Sequence, residues 1–207
     1  MLQLTKGGKL DLSKDGSIFR IGLGWDMATG KKVDLDVSAL VLKEDGKAFA
    51  PDAICCYAQL CWPCNEAKEE IPTTAIKHSG DNRDGAGEGD DELITIDTSK
   101  LPDGVTKVQI LVSIYEANKN QQNFGMVKNA HVNLYKGESG TSEADILAKY
   151  DLEEDASMSC SIIFCEIYKK DGKWKFQALN EDKGSYNETS YTKVLKSYGY
   201  DVTDDEV

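Results

Sequence analysis

Residues 80–92, Gly-Asp-Asn-Arg-Asp-Gly-Ala-Gly-Glu-Gly-Asp-Asp-Glu, carry six carboxylates: Asp81, Asp84, Glu88, Asp90, Asp91 and Glu92. Only Arg83 offsets them, and glycine leaves the backbone free to fold tightly. Like charges held this close repel one another. A compact loop of this composition therefore needs a cation, and an extended one needs water. Further carboxylates stand at Asp26, after Gly24-Trp25, and at Asp34 and Asp36 around Leu35. More follow in Asp151-Leu152-Glu153-Glu154-Asp155. Residues two apart on a strand share a face, so Asp34 and Asp36 are expected to project together while Leu35 and Val37 face a core.

Clustered carboxylates suit a hard divalent cation. Calcium accepts about 6–8 oxygens in a flexible shell, and Gly85, Gly87 and Gly89 would let main-chain carbonyls turn inward to join them. Magnesium demands stricter geometry and retains its waters, so an all-protein cage favours calcium. Zinc is disfavoured by donor type, since these loops hold no cysteine and His78 is the nearest histidine. The run is not an EF-hand: counted from Asp81, Glu92 takes the twelfth position, but Arg83 and Ala86 occupy the third and sixth, where Asp or Asn and then Gly are required. The plain alternative is a set of solvated surface loops.

Other chemistry has less support. Cys61-Trp62-Pro63-Cys64 is a C-x-x-C pair without the strand-to-helix setting of a redox motif. Cys55 and Cys56, as neighbours on a strand, point to opposite faces and cannot both join it. Packing as small hydrophobes is the default for these four, and for Cys160 and Cys165. His78 and His131 are the only histidines, and neither stands beside a nucleophile in a recognisable motif. Residues 85–89 lack the lysine of a phosphate loop, and their carboxylate repels phosphate.

The elements that must position these groups read as strands. Asp-Gly pairs at 15–16, 45–46, 103–104 and 171–172 punctuate short apolar or alternating runs, and Asp-Gly favours the tight turns between antiparallel strands. Strands are expected over 10–12, 18–23, 33–42, 105–115, 130–135, 147–152, 161–168 and 173–179. In the last, Trp174, Phe176 and Ala178 alternate with Lys173, Lys175 and Gln177. If the strands bearing Asp26 and Asp34 are neighbours, those residues meet at one end of a sheet. Residues 118–123 read as a helical turn or a loop. Tyr191, Val194, Leu195 and Tyr198 lie on one face of a helix, with Thr189 as N-cap and Gly199 as terminator. The expectation is an all-β fold: a β-sandwich of two antiparallel sheets with a short C-terminal helix, as one domain over 1–200 and a disordered acidic tail over 201–207.

Composition narrows the partners. With 207 residues, 40% of them hydrophobic, the chain can build one substantial core. A net charge of −12 argues against nucleic acid and against anionic membrane surfaces. No run of apolar residues suits a signal peptide or a membrane span, so the expected compartment is the cytoplasm, with the six cysteines reduced.

Several of these stretches together resemble one family. Lys6-Gly7-Gly8, Leu10 to Ser13, Gly22 to Asp26, Asp34 to Ala39, Gly80 to Arg83, Gly87 to Glu92, Asn123-Phe124-Gly125, Leu152 to Ser157 and Tyr168 to Lys175 are similar, in that order, to the TerD family of tellurium-resistance and stress proteins. The resemblance implies a two-sheet sandwich binding two neighbouring calcium ions, a role in the stress response and no established catalysis. Carried over residue by residue, it implies calcium ligation by Asp26, Asp34, Asp36, Asp81, Asn82, Glu88, Asp90, Asp91 and Glu92, with Asp155 in a second tier. Residues 54–72 and the acidic tail depart from the family pattern. The leading expectation is a non-catalytic, calcium-binding interaction module that engages protein partners of a stress-response complex. The alternatives are a metal-dependent phosphoesterase, for which Arg83 and His78 are the available substrate-side groups, and a calcium-dependent structural or oligomerising component.

Overall fold

The computed structural model describes residues 2–27, 32–83, 85, 89–138, 142–151 and 157–203. Its elements begin with β1 (Leu2–Gln3), β2 (Lys9–Asp11), β3 (Ile18–Met27), β4 (Leu35–Leu42), β5 (Ile54–Cys55) and β6 (Cys61–Trp62). Next come β7 (Ile76–His78), β8 (Glu92–Asp97), β9 (Lys107–Ile114), the one-turn helix α1 (Ala117–Asn120) and β10 (Val127–Lys136). The chain continues through β11 (Ile146–Asp151), β12 (Ser161–Lys170), β13 (Lys173–Asp182) and α2 (Tyr191–Tyr198). They form two sheets. One has seven strands in the order β1-β11-β10-β3-β8-β7-β6, and the other has six in the order β2-β13-β12-β9-β4-β5. All named pairings are antiparallel except β1 with β11.

Period-two alternation explains the layers. On β3, Phe19, Ile21, Leu23 and Trp25 enter the core between the sheets; on β13, Phe176 and Ala178 do so from the opposite side, with Trp174 packed against them. Strand β4 is buried on both faces. Leu35, Val37, Ala39 and Val41 point between the sheets, whereas Leu40 and Leu42 lie in a second cluster under Val194, Leu195 and Tyr198 of α2. The helix therefore forms a third layer over part of the six-stranded sheet. Its N-cap is Ser190 and not the expected Thr189: Ser190 Oγ accepts from the Lys193 N–H at 3.3 Å. Gly199 ends the helix at φ 90°, as expected.

Of the Asp-Gly pairs at 15–16, 45–46, 103–104 and 171–172, two close antiparallel neighbours. Asp171-Gly172 joins β12 to β13 with both residues at positive φ, 53° and 74°. Asp45-Gly46 lies inside the Leu42–Ala48 bridge. The other two carry the chain from one sheet to the other, β2 to β3 and β8 to β9. A sandwich needs sharp reversals at its corners as much as in its hairpins, and a positive-φ glycine serves both.

Strands β3 and β4 fall in different sheets, so Asp26 and Asp34 are not brought together by strand pairing. Of the tail, residues 201–203 are described, with Val202 packed against the cluster under α2; 204–207 lie outside the described residues. Among the described residues, no helix is long and apolar enough to cross a membrane.

Candidate metal centre

Three carboxylates converge where β4 begins. Asp34 lies just ahead of the strand, Asp36 is on its outward face and Asp81 comes from the segment joining β7 to β8; one oxygen of each lies within 4.8 Å of the others. Two oxygens of one calcium shell, each about 2.3–2.6 Å from the ion, are separated by at most roughly 4.6–5.2 Å, so this spacing fits a shared ion. Asp36 follows the alternation that puts Ser38 and Leu40 beneath α2. Helix cover reaches Ser38, whose Oγ is 3.0 Å from the Tyr191 hydroxyl, and Asp36 is the next outward position.

Asp34 is the least satisfied member. Its Oδ1 is buried and has no hydrogen-bond partner. Burial, reinforced by the Asp81 and Glu92 charges, pushes its carboxyl up to about 6, against the weaker opposing pull of Lys32 and Arg83. Arg83 itself is exposed and spends its guanidinium on Asp81, with Nε 2.7 Å from Oδ2.

A buried scaffold brings Asp81 to this place. Glu92 keeps the phase of Ile94 and Ile96 along β8 and so points between the sheets, fully buried. Its carboxylate accepts from the Val37 N–H at 2.8 Å and from the Asn82 N–H at 3.1 Å. His78, inward from β7, lies beside it with Nε2 3.5 Å from Glu92 Oε2 and 3.2 Å from the Val37 carbonyl. Its Nδ1 accepts from the Gly80 N–H at 3.0 Å, which leaves the ring proton on Nε2. Glu92 and His78 thus take up the free backbone edge of β4 beyond β5, joining the sheets and fixing residues 80–82. Neither is open to a substrate.

The other expected ligands are placed elsewhere. Asp90 folds over Gly22 on the outer face of the seven-stranded sheet. It accepts from Asn133 Nδ2 at 2.8 Å and from the Tyr135 hydroxyl at 2.5 Å, and lies 3.5 Å from His131 Nε2. Asp91 accepts from the Trp25 N–H at 3.0 Å and from Asn82 Nδ2 at 3.3 Å; burial raises its carboxyl, and the Trp25 bond opposes that rise. Asn82 Oδ1 accepts from the Gly85 N–H at 3.2 Å. Asp26 is exposed and accepts from Asn129 Nδ2 at 2.6 Å. Glu88, Asp84 and Asp155 lie outside the described residues.

The acidic stretch is thereby divided. Asp81 belongs to the carboxylate cluster, Glu92 to the scaffold below it, and Asp90 to a separate polar network. That network was missed from the sequence, although His131, Asn133 and Tyr135 alternate with Val132 and Leu134 and so announce one polar face of β10.

Comparison with known proteins agrees with this architecture. The TerD domain family model matches residues 1–187. General stress protein 16U of Bacillus subtilis (strain 168) is 36% identical over 97% of this chain and 98% of its own. Tellurium resistance protein TerD of Serratia marcescens is 35% identical over 87% of this chain and 90% of its own. A crystal structure of a homologue of the telluride resistance protein TerD, from Streptomyces coelicolor A3(2), superposes with a TM-score of 0.61 at 18% identity, covering 82% of this chain and 91% of that one. On the family match along most of its length and on these identities, the chain belongs to the TerD family.

Proposed function

We propose that this TerD-family chain is a calcium-binding, non-catalytic interaction module of a cytoplasmic stress response, with Asp34, Asp36 and Asp81 as its principal ligands. The observation that carries the reading is the buried, unpartnered Oδ1 of Asp34 within a convergent trio of carboxylates. A cation would supply the missing partner and relieve the mutual repulsion of the three groups. Asp36 belongs to a strand of one sheet, with Asp34 just ahead of it, whereas Asp81 follows β7 of the other. Ion binding would therefore cross-link the sheets, and binding energy would become folding energy. The names of the relatives, general stress protein and tellurium resistance protein, support the stress role and describe no reaction.

The described geometry supports one ion. The second ion implied by the family resemblance would draw on Glu88, Asp90 or Asp91, the last two of which would have to exchange present hydrogen bonds for metal.

Calorimetric titration with calcium and with magnesium, paired with thermal melts in calcium and in EGTA, tests the reading. Calcium should bind with measurable heat and raise the melting temperature, by the equivalent of about 2.7 kcal/mol at ~100-fold excess over Kd. The stoichiometry decides between one ion and two. Absence of both heat and a calcium-dependent shift would overturn the proposal.

A further inference from the structure

Cys61 and Cys64 have a setting that packing alone does not explain. Strand β6 is an edge strand of the seven-stranded sheet. Trp62 points into the main core, and Cys61 points the other way. Cys61 is nevertheless only 3% exposed, because the following segment folds back over it. That segment is a small hairpin closed by the Cys64–Glu70 bridge, by Asn65 N–H to the Glu69 carbonyl at 3.1 Å and by Glu69 N–H to Asn65 Oδ1 at 2.9 Å. It is fastened down by the Cys61 thiol on the Lys68 carbonyl at 3.5 Å and by Glu70 on Lys77 at 2.5 Å. Cys64, at its root, is half-buried, and after burial the nearness of its thiol is the next cause that pushes the Cys61 thiol up. Cys61 is thus covered by one folded-back turn of chain at a sheet edge, and Cys64 stands partly open beside it.

Metal binding is the weaker reading of this pair. Among the described residues, no cysteine joins a group of three convergent ligands. Cys55 is directed into the main core and Cys56 into the cluster under α2, so neither can complete a tetrahedral site.

We propose that Cys61 and Cys64 form a redox-modifiable dithiol that closes to an intramolecular disulfide in the presence of a low-molecular-weight disulfide such as oxidised glutathione. The half-buried Cys64, as thiolate, attacks one sulfur of glutathione disulfide; a mixed disulfide forms and one glutathione thiolate leaves. Cys61, as thiolate, then attacks the Cys64 sulfur; the Cys61–Cys64 bond forms and the second glutathione leaves. The two protons lost by the cysteines are taken up by the two glutathione thiolates. Protein dithiol is oxidised and glutathione disulfide is reduced, with no other reactant. Burial raises the Cys61 thiol, so the less buried Cys64 reacts first.

The test equilibrates the reduced full chain with a series of reduced and oxidised glutathione mixtures, quenches with acid, alkylates with N-ethylmaleimide under denaturing conditions and maps the peptides by mass. The peptide holding Cys61 and Cys64 should lose both labels and two hydrogens as oxidised glutathione rises, while Cys55, Cys56, Cys160 and Cys165 remain fully labelled. In Cys61→Ser, Cys64 should retain one glutathione. Full labelling of Cys61 and Cys64 throughout the series would overturn the proposal, as would pairing of either with another cysteine. So would a stoichiometric zinc complex that protects both thiols while the glutathione series yields no disulfide. The wild-type mapping decides the matter even if the variant fails to fold.

Discussion

At Asp34 two effects act against the metal-free fold: burial of the carboxylate and the neighbouring charges of Asp81 and Glu92. Its substitution is therefore expected to separate stability from binding. Asp34→Asn removes the disfavoured charge at nearly constant volume. Its melting temperature in EGTA should equal or exceed that of the parent chain, while calcium affinity falls roughly tenfold or more, because ligand charge tunes calcium affinity. Parallel melts and calorimetry check both halves, and a variant destabilised in EGTA would count against the arrangement. His131 carries the opposite sign. Its Nε2 is 3.5 Å from Asp90 and its Nδ1 is 2.8 Å from the Asn129 carbonyl, so both ring nitrogens face acceptors. The bond to Asp90 raises its pKa, against burial and Lys149. A group whose folded pKa is raised stabilises fully below its unfolded value, here 6.5, and loses that contribution as pH climbs through the folded value. In EGTA, the gap in urea midpoint between the parent and His131→Gln should therefore shrink from about pH 6 to about pH 9. A gap that widens would sink the assignment.

At the scale of elements, outer-face glycines on β3 are as informative as the carboxylates above them. A Cβ on Gly22 would lie 1.9 Å from Asp90 Oδ2, and one on Gly24 would lie 2.6 Å from the His131 ring. Asp90 cannot reach Asn133 and Tyr135 unless position 22 is bare. Gly22→Ala should lower stability by about 1–3 kcal/mol through overpacking. Urea unfolding measures it, and a neutral outcome would show that Asp90 can move aside without loss. The same scale shows what could be read from the sequence. The phase of Asp34 and Asp36 was legible because alternation is local, as was the hairpin at Asp171-Gly172. The company of Asp81 was not, because it depends on a crossing between sheets. Nor was the inward turn of Glu92: its carboxylate reads as loop chemistry, although Ile94 and Ile96 continue its phase. Strands β5, β6 and β7, of two or three residues, are too short to display a period at all.

Across the whole molecule, the six-stranded sheet is covered on both faces where α2 lies, and the candidate metal centre occupies the place where that cover stops. The general form, two sheets and a short C-terminal helix, followed from turn spacing and alternation. The assignment of strands to sheets did not, since a positive-φ glycine reads alike whether it closes a hairpin or turns a sandwich corner.

Strand β4 has one further consequence, in the time domain. It lies between two apolar clusters, and its Val37 amide is held by a buried carboxylate from the opposite sheet in place of a strand neighbour. For that hydrogen to exchange with solvent, Glu92 must withdraw, and the sheets must part with it. The Val37 amide should therefore exchange as slowly as the central β4 and β9 amides, at the rate set by global opening. In Glu92→Gln, deuterium uptake should accelerate first at Val37 and Asn82. An isotope-labelled spectrum followed over hours would show the seam between the sheets loosening at those two positions before the remainder of the strand.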